Sequence, residues 1–174
     1  MIVFVFGGTR SGKTRYAINF AEGLFHYSNF YYIATAEPID EEMKERIKKH
    51  QEERSEKWEL IEEPVNLVEK LKTLPENSVI LIDCLSVWLT NLIVKNLSIE
   101  ENTQKLLEEL KRFKACPEYC LICVSSEVGL GLVPESTMGR KFRDLNGFFN
   151  QKLAELADEV YFVVAGLPIT LKSL

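Results

Sequence analysis

One octapeptide constrains this chain more than any other stretch. Residues 7–14 read GGTRSGKT and satisfy the spacing G-x-x-x-x-G-K-[ST]. The flanks suit it: residues 2–6, IVFVF, are a continuous apolar run, and helix-compatible sequence follows from Lys13 to about Leu24. An uninterrupted apolar strand is buried on both faces, which requires a mostly parallel sheet covered by helices. Between strand and helix, glycines let backbone N–H groups curl around phosphate oxygens, and the helix N-terminus adds positive potential. Gly7, Gly8, Thr9, Arg10, Ser11, Gly12, Lys13 and Thr14 are therefore the expected nucleotide cradle. Lys13 is expected to reach the β- and γ-phosphates as a catalytic residue, and the Thr14 hydroxyl to ligate magnesium. A chance glycine turn is the competing explanation; eight residues in register with the right flanks count against it.

The remaining pattern repeats this alternation. FYYIAT (30–35), SVILID (78–83), YCLICV (119–124), EVYFVVAG and PITLK read as strands, with a shorter extended piece near Trp58–Ile61. Helical pattern covers about 40–54, 66–73, 85–95, 100–114 and 138–157. Strands alternating with helices, with no repeat and no linker, predict one α/β domain over residues 1–174. Asp83 closes its apolar strand, where a P-loop protein needs a carboxylate to hold the metal through its hydration shell. Helix N-capping is the other role open to it, and the two can coexist.

The formal charge of −5 argues against a general nucleic-acid binder, which needs a basic field. No apolar stretch reaches the roughly 18 residues of a membrane span. MIVFVFGG lacks the basic region of a signal peptide, so the cytoplasm is the expected location. Cys120 and Cys123 form a CxxC within a strand, where side chains three apart point to opposite faces; they read as small buried hydrophobes.

Residues 40–63 hold ten acidic and six basic side chains, so most of them must be solvated. Met43 and Ile47 lie four apart on one helical face, and His50 continues that face three residues on. Arg46 and Arg54 lie one turn to either side. Neutral imidazole is a competent nucleophile near pH 7 and approaches a phosphate without the repulsion a carboxylate meets. Spacing leaves a nucleophile and an ordinary surface or packed histidine both open. His26 has no comparable setting and reads as structural.

Four stretches together carry a resemblance that the P-loop alone does not: GGTRSGKTRYA, YIATAEPIDEEMKERIKKHQEERSEKWELIEEP, LIDCLSVWLTNL, and SSEVGLGLVPESTMGRKFRDLNGFFNQKLAELADEVYFVVAGLP. The chain resembles the bifunctional adenosylcobinamide kinase/adenosylcobinamide-phosphate guanylyltransferase family. The most specific parts are R-I-x-x-H-x-x-x-R followed by W-x-x-x-E-x-P, and G-R-x-F-R-D-x-x-G-x-x-N-Q. Ser55, Leu60 and Ser126 stand where the family commonly has proline, threonine and asparagine.

The resemblance implies a RecA-like P-loop fold and a homotrimer or a multiple of it. It implies that His50 takes GMP, and that Ala34, Thr35, Ala36, Gln51, Glu52, Glu53 and Arg54 add nucleotide contacts. Glu62 and Asp83 would complete the guanine-nucleotide and metal surroundings. Two reactions follow from it: phosphorylation of adenosylcobinamide by ATP or GTP, then transfer of GMP from GTP to adenosylcobinamide phosphate through His50. A P-loop small-molecule kinase without the histidine step, and a nucleotide-gated binding module, are the alternatives. Glu127 is open between acid, base and loop anchor; Arg140 and Arg143, three apart on a helix, between a phosphate and a neighbouring subunit, with an Arg143–Asp144 surface pair as the plain alternative; Asn91 between capping and binding.

Overall fold

The computed structural model describes residues 1–37 and 55–173. The expected helix over 40–54, with His50 and Gln51–Arg54, lies outside them. The described residues form a seven-stranded sheet in the order β3-β2-β4-β5-β1-β6-β7. In chain order the elements are β1 (Ile2–Gly7), α1 (Lys13–Glu22), β2 (Asn29–Ala34), β3 (Glu59–Glu62), α2 (Leu67–Leu71) and β4 (Ser78–Asp83). After them come α3 (Leu85–Val94), α4 (Ile99–Lys114), β5 (Tyr119–Ser126), α5 (Thr137–Leu156), β6 (Glu159–Val164) and β7 (Leu167–Lys172). Every pairing is parallel except that of β6 with β7, which form an antiparallel hairpin.

The apolar strands partition their side chains as a period of two demands. Ile2 and Phe4 enter the core layer beneath α2–α5, whereas Val3 and Val5 enter the layer beneath α1. The same alternation puts Cys123 in the first layer and Cys120 in the second, so the CxxC pair is split by the sheet. Both thiols are fully buried, and burial pushes each up to about 12.

Helix ends follow local chemistry. Ser98 caps α4 by accepting from the Glu101 N–H, with Glu100 and Glu101 in the first turn and Lys111, Arg112 and Lys114 in the last. Ser136 caps α5 through the Gly139 N–H at 3.0 Å. The C-terminal ends of β1, β2, β4 and β5 lie along one edge of the sheet, where open α/β folds hold their ligands.

Candidate active site

The loop after β1 curls because two residues adopt left-handed backbone: Arg10 with φ 56° and Gly12 with φ 92°. Glycine takes that region freely, whereas arginine is strained there. Helix α1 then starts at Lys13 with neither a side-chain cap nor an acidic residue in its first turn. Its first N–H groups are left for an external anion, and the helix dipole favours one. Lys13 Nζ donates across the loop to the Gly8 carbonyl at 3.2 Å. Ser11 is buried, and its Oγ is the one buried side-chain polar atom among the described residues with no hydrogen-bond partner. An orphaned hydroxyl inside a phosphate-binding loop is what a bound phosphate oxygen would satisfy.

The loop is closed from outside by the β6–β7 turn. Gly166 N donates to the Ser11 carbonyl at 2.8 Å, and Gly7 packs so tightly that an added Cβ would lie 2.3 Å from the Val163 carbonyl oxygen. A cavity of about 490 Å³ opens between Gly8–Ser11, this turn and the segment around Glu127 and Leu130.

Asp83 comes to the cradle from two strands away, because β5 lies between β1 and β4. Thr14 Oγ1 donates to Asp83 Oδ2 at 2.9 Å, and Tyr32 Oη donates to the same oxygen at 2.5 Å. A hydroxyl and a carboxylate in contact are hard oxygen donors, and two protein groups suit magnesium, which keeps waters and phosphate oxygens in its shell. The residues present therefore fit that ion. Cys84 follows Asp83; burial and the neighbouring carboxylate push its thiol up to about 11, so it stays protonated and offers no thiolate.

Ala34 pairs in register with Asp83, and Thr35 continues from it, its N–H bonded to the Asp83 carbonyl at 3.1 Å. Thr35 Oγ1 also donates to the Cys84 carbonyl and accepts the Cys84 N–H, each at 2.8 Å. Ala34–Ala36 thus sit beside the carboxylate. Glu62, at the end of the edge strand β3, is the register partner of Ala34 on its other side; it is exposed, two strand steps and roughly 10 Å from Asp83 and four steps from β1 at about 4.8 Å per step. Within one chain it flanks Ala34 and not the Gly7–Thr14 loop.

Three residues of open role have definite partners. The Glu127 carboxylate accepts the Gly129 and Leu130 N–H groups, and its own N–H donates to the Gly7 carbonyl at 2.9 Å, so it anchors the loop. Arg143 donates to the Gly129 carbonyl at 2.8 Å, steadying that loop from α5. Asn91 donates to the Thr35 and Pro64 carbonyls at 2.8 and 3.0 Å. His26 is exposed, its ring beside that of Tyr27.

Sequence reasoning missed a buried polar network behind the site. Ser86 donates to Asn146 Oδ1 and Ser125 to Asn150 Oδ1, each at 2.7 Å, while both asparagines donate to the Ser126 carbonyl. It clamps the end of β5 between α3 and α5. Polar residues recurring four apart on the inner face of α5 were the available signal.

A family model described as cobinamide kinase / cobinamide phosphate guanyltransferase matches residues 3–171. The chain belongs to this family. It is 35% identical over 185 residues to the bifunctional adenosylcobalamin biosynthesis protein CobU of Escherichia coli, covering 99% of this chain and 100% of that protein. It is 39% identical over 172 residues to CobP of Pseudomonas aeruginosa, a protein of the same description, covering 97% and 95%. Among solved structures, the flagellar accessory protein FlaH of Methanocaldococcus jannaschii matches with a TM-score of 0.55 at 18% identity, over 99% of this chain and 78% of that one. A type III secretion ATPase of pathogenic bacteria matches with a TM-score of 0.57 at 9% identity, over 97% and 56%. At such identities the likeness concerns fold alone, and the fold is the expected P-loop α/β architecture.

Proposed function

We propose that this chain phosphorylates adenosylcobinamide with ATP or GTP and then carries GMP from GTP to adenosylcobinamide phosphate, yielding adenosylcobinamide-GDP for cobalamin assembly. The observation that carries the reading is the Thr14–Asp83 contact at 2.9 Å beside an uncapped helix start, in a chain whose family match spans nearly its whole length.

In the kinase step the substrate hydroxyl oxygen attacks the γ-phosphorus, the bond to the β-phosphate oxygen breaks, and the hydroxyl proton is lost to solvent or base. Gly7–Thr14 hold the phosphates, and Lys13 exchanges its contact with the Gly8 carbonyl for phosphate oxygens. Magnesium, held by Thr14 and Asp83, supplies charge neutralisation when bound. In the second step a His50 ring nitrogen attacks the α-phosphorus of GTP and pyrophosphate leaves. A phosphate oxygen of adenosylcobinamide phosphate then attacks the same phosphorus and the P–N bond breaks. Ala34–Ala36, beside Asp83, and Gln51–Arg54 would contact the nucleotide.

Glu62, beside Ala34 in the sheet, joins the guanine-nucleotide surroundings, and the chain assembles as a homotrimer or a multiple of it. The whole of residues 1–174 acts as one domain, in the cytoplasm.

The test is incubation with GTP labelled at the α-phosphate. An acid-labile protein adduct that disappears in His50→Ala supports guanylylation. Nucleotide binding and corrinoid phosphorylation without an adduct would leave a small-molecule kinase, and an unmodified corrinoid would leave a binding module.

A further inference from the structure

We propose that Tyr32 is a positioning residue for magnesium, its buried hydroxyl holding Asp83 in the orientation from which that carboxylate and Thr14 receive the ion. The inference rests on the nucleotide-site reading above and adds a residue to it.

The strand phases make the contact possible. Phe30 and Tyr32 on β2, and Val79 and Leu81 on β4, face the core layer beneath α1. A period of two sends Asp83 to that same side, toward Thr14 on α1. Tyr32 is 2% exposed, yet its hydroxyl reaches the rim of this layer and donates to Asp83 Oδ2 at 2.5 Å. Thr14 donates to the same oxygen at 2.9 Å. Two hydroxyl protons thus converge on Oδ2. This sets the carboxylate plane, turns the Thr14 proton toward Asp83, and leaves the Thr14 lone pairs and Asp83 Oδ1 to face a cation or its water. Groups that orient a metal ligand in this way commonly change metal affinity 10–100-fold when removed.

The ring is held independently of the hydroxyl. Trp58 packs edge-on against Tyr32 with centroids 6.1 Å apart and planes at 88°, and Trp58 Nε1 donates to Glu22 Oε1 on α1 at 3.1 Å. Tyr32→Phe therefore deletes the hydrogen bond while keeping the packing.

The experiment is equilibrium binding of labelled GTP as magnesium chloride is titrated, with thermal melts of each apo protein. In Tyr32→Phe the magnesium midpoint should rise about tenfold, while metal-free GTP affinity stays within about twofold of the parent. In an Asp83→Ala background, which leaves the Tyr32 hydroxyl no side-chain acceptor at that position, the same change should shift nothing further. The proposal is overturned by an unchanged midpoint, by an equal loss of metal-free binding, or by additive effects in the double variant. A parent protein that binds no GTP would overturn the nucleotide reading itself, a result distinguishable from a shifted or unshifted midpoint.

Discussion

The two adjacent glycines that open the phosphate loop should respond very differently to a single methyl group. A Cβ at Gly7 would lie 2.3 Å from the Val163 carbonyl oxygen and 2.7 Å from Ser11 Oγ, whereas one at Gly8 meets nothing within 4 Å. The Ser11 hydroxyl can rotate away. The Val163 carbonyl cannot, because Gly7 and Val163 are register partners in the parallel β1–β6 ladder. Restoring ordinary contact at about 3.4 Å requires the strands to separate by roughly 1 Å, and overpacking of this kind costs about 1–3 kcal/mol. For a chain of this length that cost lowers the melting temperature by roughly 2–12 °C.

Thermal unfolding of the nucleotide-free protein, followed by circular dichroism, reads the difference directly. Gly7→Ala should melt within that lower range and Gly8→Ala within about 1 °C of the parent. GTP should raise the melting temperature of Gly7→Ala less than that of the parent, because the loop mouth moves with its first residue. Equal melting of the Gly7 variant and the parent, or an equal drop in both variants, would refute the steric argument.

Two further outcomes follow from buried ionisable groups. Asp158 accepts the Ile2 N–H at 2.7 Å and pairs with Lys114 at 2.9 Å. Burial alone would raise its carboxyl, but the Lys114 ammonium and the Ile2 N–H outweigh that and hold it below its ordinary 3.8. A depressed folded-state value means that its contribution is full above the unfolded value and is lost as pH falls through the folded one. Urea midpoints should therefore drop below about pH 4, and drop less steeply in Asp158→Asn. Cys120 and Cys123, pushed up to about 12 by burial, should resist iodoacetamide at pH 8 in the native protein and react once guanidinium unfolds it. Ready native labelling of either, located by peptide mass mapping, would contradict their placement.

The Gly7–Thr14 loop was legible because its expected chemistry is contiguous. The glycines, Lys13 and Thr14 are neighbours in the chain, and the loop folds on them locally. Asp83 was legible as the polar end of an apolar strand. The strands were legible because burial on both faces forces continuous apolar runs; β5 extends only two residues beyond the expected 119–124. Glu62 shows what local reading leaves open. Its distance from the cradle depends on strand order, which places β2, β4 and β5 between β3 and β1. Glu127 and Arg143 were chemically ambiguous until their partners, the amides and carbonyl of residues 129 and 130, came into view.

Local sequence thus dictates a strand, a phosphate-sized turn and a helix, since backbone freedom and hydrophobic period act over a few residues. That a tyrosine on β2 and a threonine on α1 should meet on one carboxylate oxygen follows from neither. Their meeting needs β2 to pair with β4, β5 to enter between β4 and β1, and α1 to lie across the sheet. Those are long-range packing choices, made where the buried faces of distant segments fit together.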